Sequence, residues 1–352
     1  MSFYPIYTSF YKAYAIEQYE RHMAHMAGHS MFFNPWQYRV LCPMLVEGIY
    51  QVLDHTVFTL VDFSFNLSLP GGTAGKNDVT QKLVTSMQNP EFVKYNIVFV
   101  GFRFLENLVV FWLVFQFLSH FVKNYPLKLI AILLLALFMG NSVVDSDYTF
   151  NTYMDIIVYL LAALVILQKY SIWWILPITI VGALNRETSI LIPALAFCAK
   201  TDWKKWPNLG KILFEDRSLF GVTAISYVVF IVIFISLRVH YGYEPASTWR
   251  VPAGWPMLKL NLFSAASVKT YMEMFGVFGF LPVWSILLYR QMSPMLRIFF
   301  WVLVPVWFVI HIASAIGFQS RLYLVPTILV FMPAVFEYIE KTLVREREVV
   351  VQ

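Results

Sequence analysis

Four residues, Asn185-Arg186-Glu187-Thr188, interrupt an apolar stretch that runs from Ile172 to Lys200. The apolar runs on either side, 172–184 and 189–199, each fall well short of the roughly 20 residues that a straight helix needs to cross a bilayer. An ionised side chain at membrane depth costs about 2.5–3.5 kcal/mol even on the mild insertion scale. Charges in such a place therefore mark a site that faces protein or water rather than lipid. Arg186 can hold an anionic group there, with Glu187 orienting it or pairing with a second ligand. The same two residues can also serve as an ion pair or cap that stabilises a chain reversal, with Thr188 as partner for freed backbone groups.

Further candidates flank this segment. Asp145 and Asp147 fall between two apolar runs, and Asp155 follows at the start of the next helix. Carboxylates so placed can hold a divalent cation, which takes oxygen ligands, or act as a general base. As solvated loop acids they would do neither, and Asp155 would then favour a helix N-terminus. Near the start of the chain Glu17 and Glu20 are candidate bases. His22, His25 and His29 could share one helical face but meet no zinc signature. Arg103 and Glu106, three apart inside one apolar run, are spaced to neutralise each other. Arg321 opens the last apolar run, where the helix dipole disfavours a cation. Bidentate binding of phosphate or carboxylate and snorkelling are the two explanations open to it.

Composition sets the class of protein that must position these groups. Hydrophobic residues make up 59% of the 352 and charged residues 13%, with a mean hydropathy of +0.63. A soluble domain carries about 25% charge, so this chain is built for a lipid bilayer. The net charge of +5 does not point to nucleic acid, because most basic residues sit in short loops between apolar runs. Cys42 and Cys198 lie far apart with no metal-ligand spacing, and the aromatic, polar first 38 residues contain no cleavable signal.

The expected fold is an all-α polytopic membrane helix bundle of about 8–10 transmembrane or half-membrane helices, with extracytoplasmic interfacial helices. Full-length runs are 96–118, 127–144, 218–239, 296–316 and 321–339, with shorter ones at 153–167 and 272–289. Lys123, Lys128, Lys169, the basic residues between Lys200 and Arg217, Arg290, Arg297 and the tail fall on one side, which the positive-inside rule makes cytoplasmic. That alternation requires 172–184 and 189–199 to form a hairpin with Arg186-Glu187 at its tip, rather than one tilted helix. Backbone at such a tip is tolerated only where protein or a wet cavity satisfies it. Residues 39–60 carry Glu47, Gln51 and Asp54 as a polar stripe and read as an interfacial helix. Residues 1–95 thus form an extracytoplasmic or interfacial segment, 96–340 the transmembrane domain and 341–352 a cytoplasmic basic tail.

Several local patterns resemble one family. Tyr38-Arg39-Val40-Leu41-Cys42-Pro43-Met44-Leu45 is similar to a Y-R-x-L-x-P-x-L motif, and Leu184-Asn185-Arg186-Glu187-Thr188 to an R-E-T turn, in some bacterial multi-pass membrane proteins. The 145–155 stretch resembles their acidic loop, and Arg321-Leu322-Tyr323-Leu324-Val325-Pro326 their late R-x-x-x-x-P segment. These proteins are akin to the GT-C-type integral membrane glycosyltransferases. The chain departs from them in lacking the expected first spanning helix and in having Gln319 where an acid often precedes the late arginine.

The resemblance implies transfer of a sugar from a polyprenyl-phosphate donor at the extracytoplasmic face of a bacterial inner membrane. Glu20, Asp145 or Asp147 would be the catalytic carboxylate. Arg39, Arg186, Glu187 and Arg321 would hold the substrate and its lipid phosphate. No particular cofactor is implied, and the acidic loop could take a divalent cation. The partners are the bilayer and the lipid-linked donor. A non-catalytic subunit working with other membrane subunits and a transporter with a broken hairpin are the rival readings.

Overall fold

The computed structural model describes residues 2–4, 6, 14–28, 36–63, 78–142, 149–201, 203, 217–243, 247–248 and 251–351. Helices α1 (Tyr14–Met26), α2 (Leu41–His55) and α3 (Asp78–Ser86) precede a long helix α4 (Pro90–Leu118). Then come α5 (Tyr125–Ser142), α6 (Thr149–Leu167), α7 (Ile175–Asn185), α8 (Leu191–Lys200) and α9 (Arg217–Tyr241). A two-residue ribbon pairs β1 (Ser247–Thr248) antiparallel with β2 (Val251–Pro252), Ser247 opposite Pro252. Helices α10 (Trp255–Phe263), α11 (Ala265–Phe278), α12 (Leu281–Leu287) and α13 (Pro294–Ser314) follow. A 3-10 turn (Ser320–Tyr323) and a π stretch (Thr327–Phe331) then lead into α14 (Met332–Val351).

Among the described residues six helical runs are long and apolar enough to cross a membrane, or seven if a bent pair counts as one span. The chain is an integral, multi-pass membrane protein with an all-α bundle. Local chemistry sets the boundaries. Asn89 caps α4 by accepting from the Glu91 backbone N–H, with Pro90 in the first turn; α4 therefore starts before residue 96. The 272–289 run is not one helix: α11 and α12 meet at 79° across Gly279, whose φ of +58° suits glycine. The basic tail is no separate element, because α14 continues to Val351.

Helix α6 lies at the centre, packed against α4, α7 and α8, and most of its apolar window is buried. Tyr159 on α6 meets Trp307 of α13 edge to face, 5.2 Å between ring centroids. The core continues through Leu113, Phe299 and Phe331.

The two ends of the bundle differ. At the basic end the Glu340 carboxylate accepts the backbone N–H groups of Lys123 and Asn124 at 2.8 and 2.7 Å, tying α14 to the α4–α5 turn. Cys198 and Trp203 share a crevice with Pro294 and Arg297 at the same end. Since Cys198 closes α8 while Asn185 closes α7 beside Asn151 at the start of α6, α7 and α8 run antiparallel as a hairpin. The opposite end is therefore the tip end.

The N-terminal segment is less peripheral than expected. Asn107 Nδ2, midway along α4, donates to the Ser2 carbonyl at 2.8 Å, and Phe3 stacks on Phe104 at 4.7 Å. Two members of the polar stripe of α2 reach other elements, Glu47 accepting from Tyr95 Oη at 2.9 Å and Asp54 pairing with Lys94 at 2.6 Å, while Gln51 is exposed and donates to Glu47 within the helix at 2.7 Å.

Candidate functional site

The hairpin tip is held by hydrogen bonds that replace those lost where the helix breaks. Arg186 is extended (φ −159°, ψ 143°) and ends α7. Its carbonyl accepts from Ser189 Oγ at 2.7 Å, and its N–H donates to the Gly182 carbonyl at 2.8 Å. The Thr188 carbonyl accepts from Tyr159 Oη at 2.5 Å, and Asn185 Nδ2 donates to the Asn151 carbonyl at 2.9 Å. Gly182 lets the arms approach: a Cβ there would stand 2.6 Å from Ser189 Cβ. These contacts meet the requirement that irregular backbone at membrane depth be satisfied by protein.

Two ion-pair groups surround the tip. In the first, Arg186 Nη1 lies 2.9 Å from Asp155 Oδ2 with both side chains sealed from solvent, and Nη2 reaches Thr152 Oγ1 at 3.5 Å. In the second, Glu187 lies between Arg39 (3.7 Å) and Arg238 (3.5 Å) and is 27% exposed. Arg39 also lies over Trp36, 5.4 Å from its ring centre, and Arg238 over Tyr38 at 4.3 Å. Burial first, then the like charge of Arg186, pull the Arg39 guanidinium down to about 10, against the opposing pull of Glu187. Among the described residues three guanidinium groups meet two carboxylates at the tip. Among the same residues the Nε atoms of Arg39 and Arg186 have no hydrogen-bond partner.

Segments far apart in sequence meet here. The 38–45 stretch touches the 184–188 turn twice, through Arg39–Glu187 and through Cys42 Sγ donating to Asn185 Oδ1 at 3.5 Å. Tyr38 Oη donates to the Gly242 carbonyl at 2.8 Å and so holds the end of α9, with Arg238, against the site. Trp307 Nε1 donates to the Leu322 carbonyl at 2.6 Å. With Tyr159 it links the tip to the 3-10 turn that carries Arg321. Arg321 is buried and donates to Gln319 Oε1 at 3.3 Å.

Below the tip runs an apolar crevice of about 740 Å3 between α4, α6 and α7. It begins at Val158 and Val181, about one helical turn from Asp155 and Asn185, and ends at Gln168 and Tyr170.

Of the sequence-derived candidates, Arg39, Arg186 and Glu187 come together. Arg186 pairs with Asp155 rather than with its neighbour Glu187, because the extended backbone at Arg186 turns the two side chains to different partners. Glu20 is exposed on α1, while its neighbours Gln18 and His22 face inward. Asp145, Asp147 and His29 lie outside the described residues. Arg103 donates to Gln18 Oε1 at 2.8 Å and lies over Phe150, and among the described residues neither Glu106 oxygen has a hydrogen-bond partner. No group of three or more His, Cys, Asp or Glu that could hold a metal ion occurs among the described residues. Arg238 was not singled out from sequence, since a cation in the last turn of a span reads as ordinary snorkelling. Asp155 read as a helix-end acid; its distance from Arg186 in sequence concealed the pair.

Compared with protein-family models, curated proteins and solved structures, the chain matches none.

Proposed function

We propose that the tip binds the phosphate of a polyprenyl-phosphate sugar and that the chain transfers the sugar, in the manner of a GT-C-type glycosyltransferase of a bacterial inner membrane. The observation that carries this reading is the convergence of Arg39, Arg186 and Arg238 on the tip, where Arg39 and Arg238 share the partly open Glu187. Such donors stabilise charge that develops on a departing lipid phosphate. Glu187 occupies the place of that anion and yields to it when the donor binds. The apolar crevice that starts one turn below the tip suits the lipid's tail. Further support comes from the contact between the two segments that carry the resemblance, 38–45 and 184–188.

The base in this reading is Asp145 or Asp147, in the acidic stretch that precedes α6 in the sequence. Glu20, facing outward, leaves that role. The test uses the purified chain in nanodiscs with radiolabelled polyprenyl-phosphate sugars and a panel of acceptors. Release of polyprenyl phosphate is expected, falling at least about 100-fold in Asp145→Asn or Asp147→Asn. No turnover of any donor, together with other membrane chains retained on purification, would favour a non-catalytic subunit. The sealed Arg186–Asp155 pair is the observation that favours that second reading.

A further inference from the structure

The basic end carries a separate crevice, of about 480 Å3, between the close of α8 and the start of α13. Among the described residues two side-chain donors on its walls lack acceptors. The side chain of Arg297, half-buried in the first turn of α13, makes no ion pair or hydrogen bond with any described residue. A cation in that position is disfavoured by the helix dipole unless an anion joins it. Tyr289 Oη accepts from Trp301 Nε1 at 2.7 Å, which leaves its own proton to give. Trp203 forms another wall, its indole N–H committed to the Cys198 carbonyl at 2.7 Å. Ile298 and Val302 supply an apolar flank.

The surroundings favour an anion. Among the described residues the acids at this end are engaged: Glu337 accepts from the Ser293 N–H at 3.1 Å and from Lys341 at 2.8 Å, and Glu340 caps the α4–α5 turn. A phosphodiester presents a single negative charge on two oxygens, which a guanidinium and a phenolic O–H can share. Indole and phenol rings settle at headgroup depth, and basic pockets between helices are known to take anionic headgroups. We propose that this crevice binds one anionic phospholipid, with its phosphodiester at Arg297 and Tyr289 and an acyl chain along Ile298 and Val302.

Native mass spectrometry of the detergent-purified full chain, titrated with phosphatidylglycerol or phosphatidylcholine, tests this. Phosphatidylglycerol is expected to be retained at least fivefold more than phosphatidylcholine. Retention should fall to the phosphatidylcholine level in Arg297→Gln, fall partway in Tyr289→Phe and stay unchanged in Lys259→Gln. Inorganic phosphate at equal concentration should not displace the retained phosphatidylglycerol. Equal retention of the two lipids, or selectivity that survives Arg297→Gln, would overturn the proposal. Loss of selectivity in Arg238→Ala alone would also overturn it, by placing the lipid at the tip.

Discussion

The two ion-pair groups at the hairpin tip stand on adjacent residues yet are built differently. Arg186 and Asp155 are almost completely buried, joined at 2.9 Å. Glu187 is shared by Arg39 and Arg238 at 3.7 and 3.5 Å and stays partly open. A sealed pair acts as a lock: each charge has left water, and each depends on the other. The looser group, two guanidiniums on one partly open carboxylate, is where the proposed phosphate would enter by displacing Glu187. Sequence neighbours thus play different parts, with Arg186 fixing the tip and Glu187 shared by two guanidinium groups.

The sharpest way to break this contrast is to remove one partner of the lock. Asp155→Ala leaves Arg186 buried without a counter-charge and should cost about 3–5 kcal/mol, seen as loss of monodisperse protein or a large fall in melting temperature. Replacing both residues by leucine should recover most of that stability without recovering activity. A comparable loss in Glu187→Gln would erase the distinction between the two groups.

A smaller effect is expected where the hairpin arms meet. Gly182→Ala forces a Cβ against Ser189 Cβ at 2.6 Å and should cost about 1–3 kcal/mol. Adding Ser189→Gly should return part of it, as read by thermal unfolding.

Next in size is the pH response of α1, which docks through His22. His22 Nε2 lies 3.1 Å from Glu47 Oε2. Burial lowers the His22 pKa below 6.5, more strongly than Glu47 raises it. Burial pushes Glu47 up, but hydrogen bonds from Gln51, His22 and Tyr95 together hold it below 4.5. For His22 the unfolded state takes up the proton first, so its contribution is present above pH 6.5 and fades as pH falls below it. Glu47 adds a loss in the same direction below pH 4.5. Hydrogen exchange should therefore show α1 loosening on acidification, beginning below pH 6.5, and His22→Gln should weaken the upper part of that response, the remainder belonging to His25, whose pKa burial also lowers. Exchange in α1 that is flat from pH 7.5 to 5 would contradict this docking mechanism.

The smallest stability effect belongs to the open group. Arg238→Ala should change stability by about 1 kcal/mol or less while weakening anion binding at least tenfold, measured by titration of a short-chain polyprenyl phosphate.

Much of this architecture was legible in the sequence. The broken run at 185–188 marks the hairpin because two short apolar runs cannot each span a bilayer, and the lysine-rich loops set the direction of both arms. Arg39, Arg186 and Glu187 were visible as charges too costly to place at random. The pairings were less legible. Asp155 and Arg186 lie on different helices, and only packing of α6 against α7 brings them together. Arg103 and Glu106 have the right spacing for each other, but Gln18 and Phe150 compete for the guanidinium. The 272–289 run carries enough apolar residues for a span, and Gly279 bends it.

The most direct test is affinity for a short-chain polyprenyl phosphate in wild-type protein, Arg238→Ala and Glu187→Gln. The account predicts weaker binding in Arg238→Ala and tighter binding in Glu187→Gln, where the internal competitor is neutral. Affinity that is the same in all three proteins would contradict the assignment of the tip as an anion site.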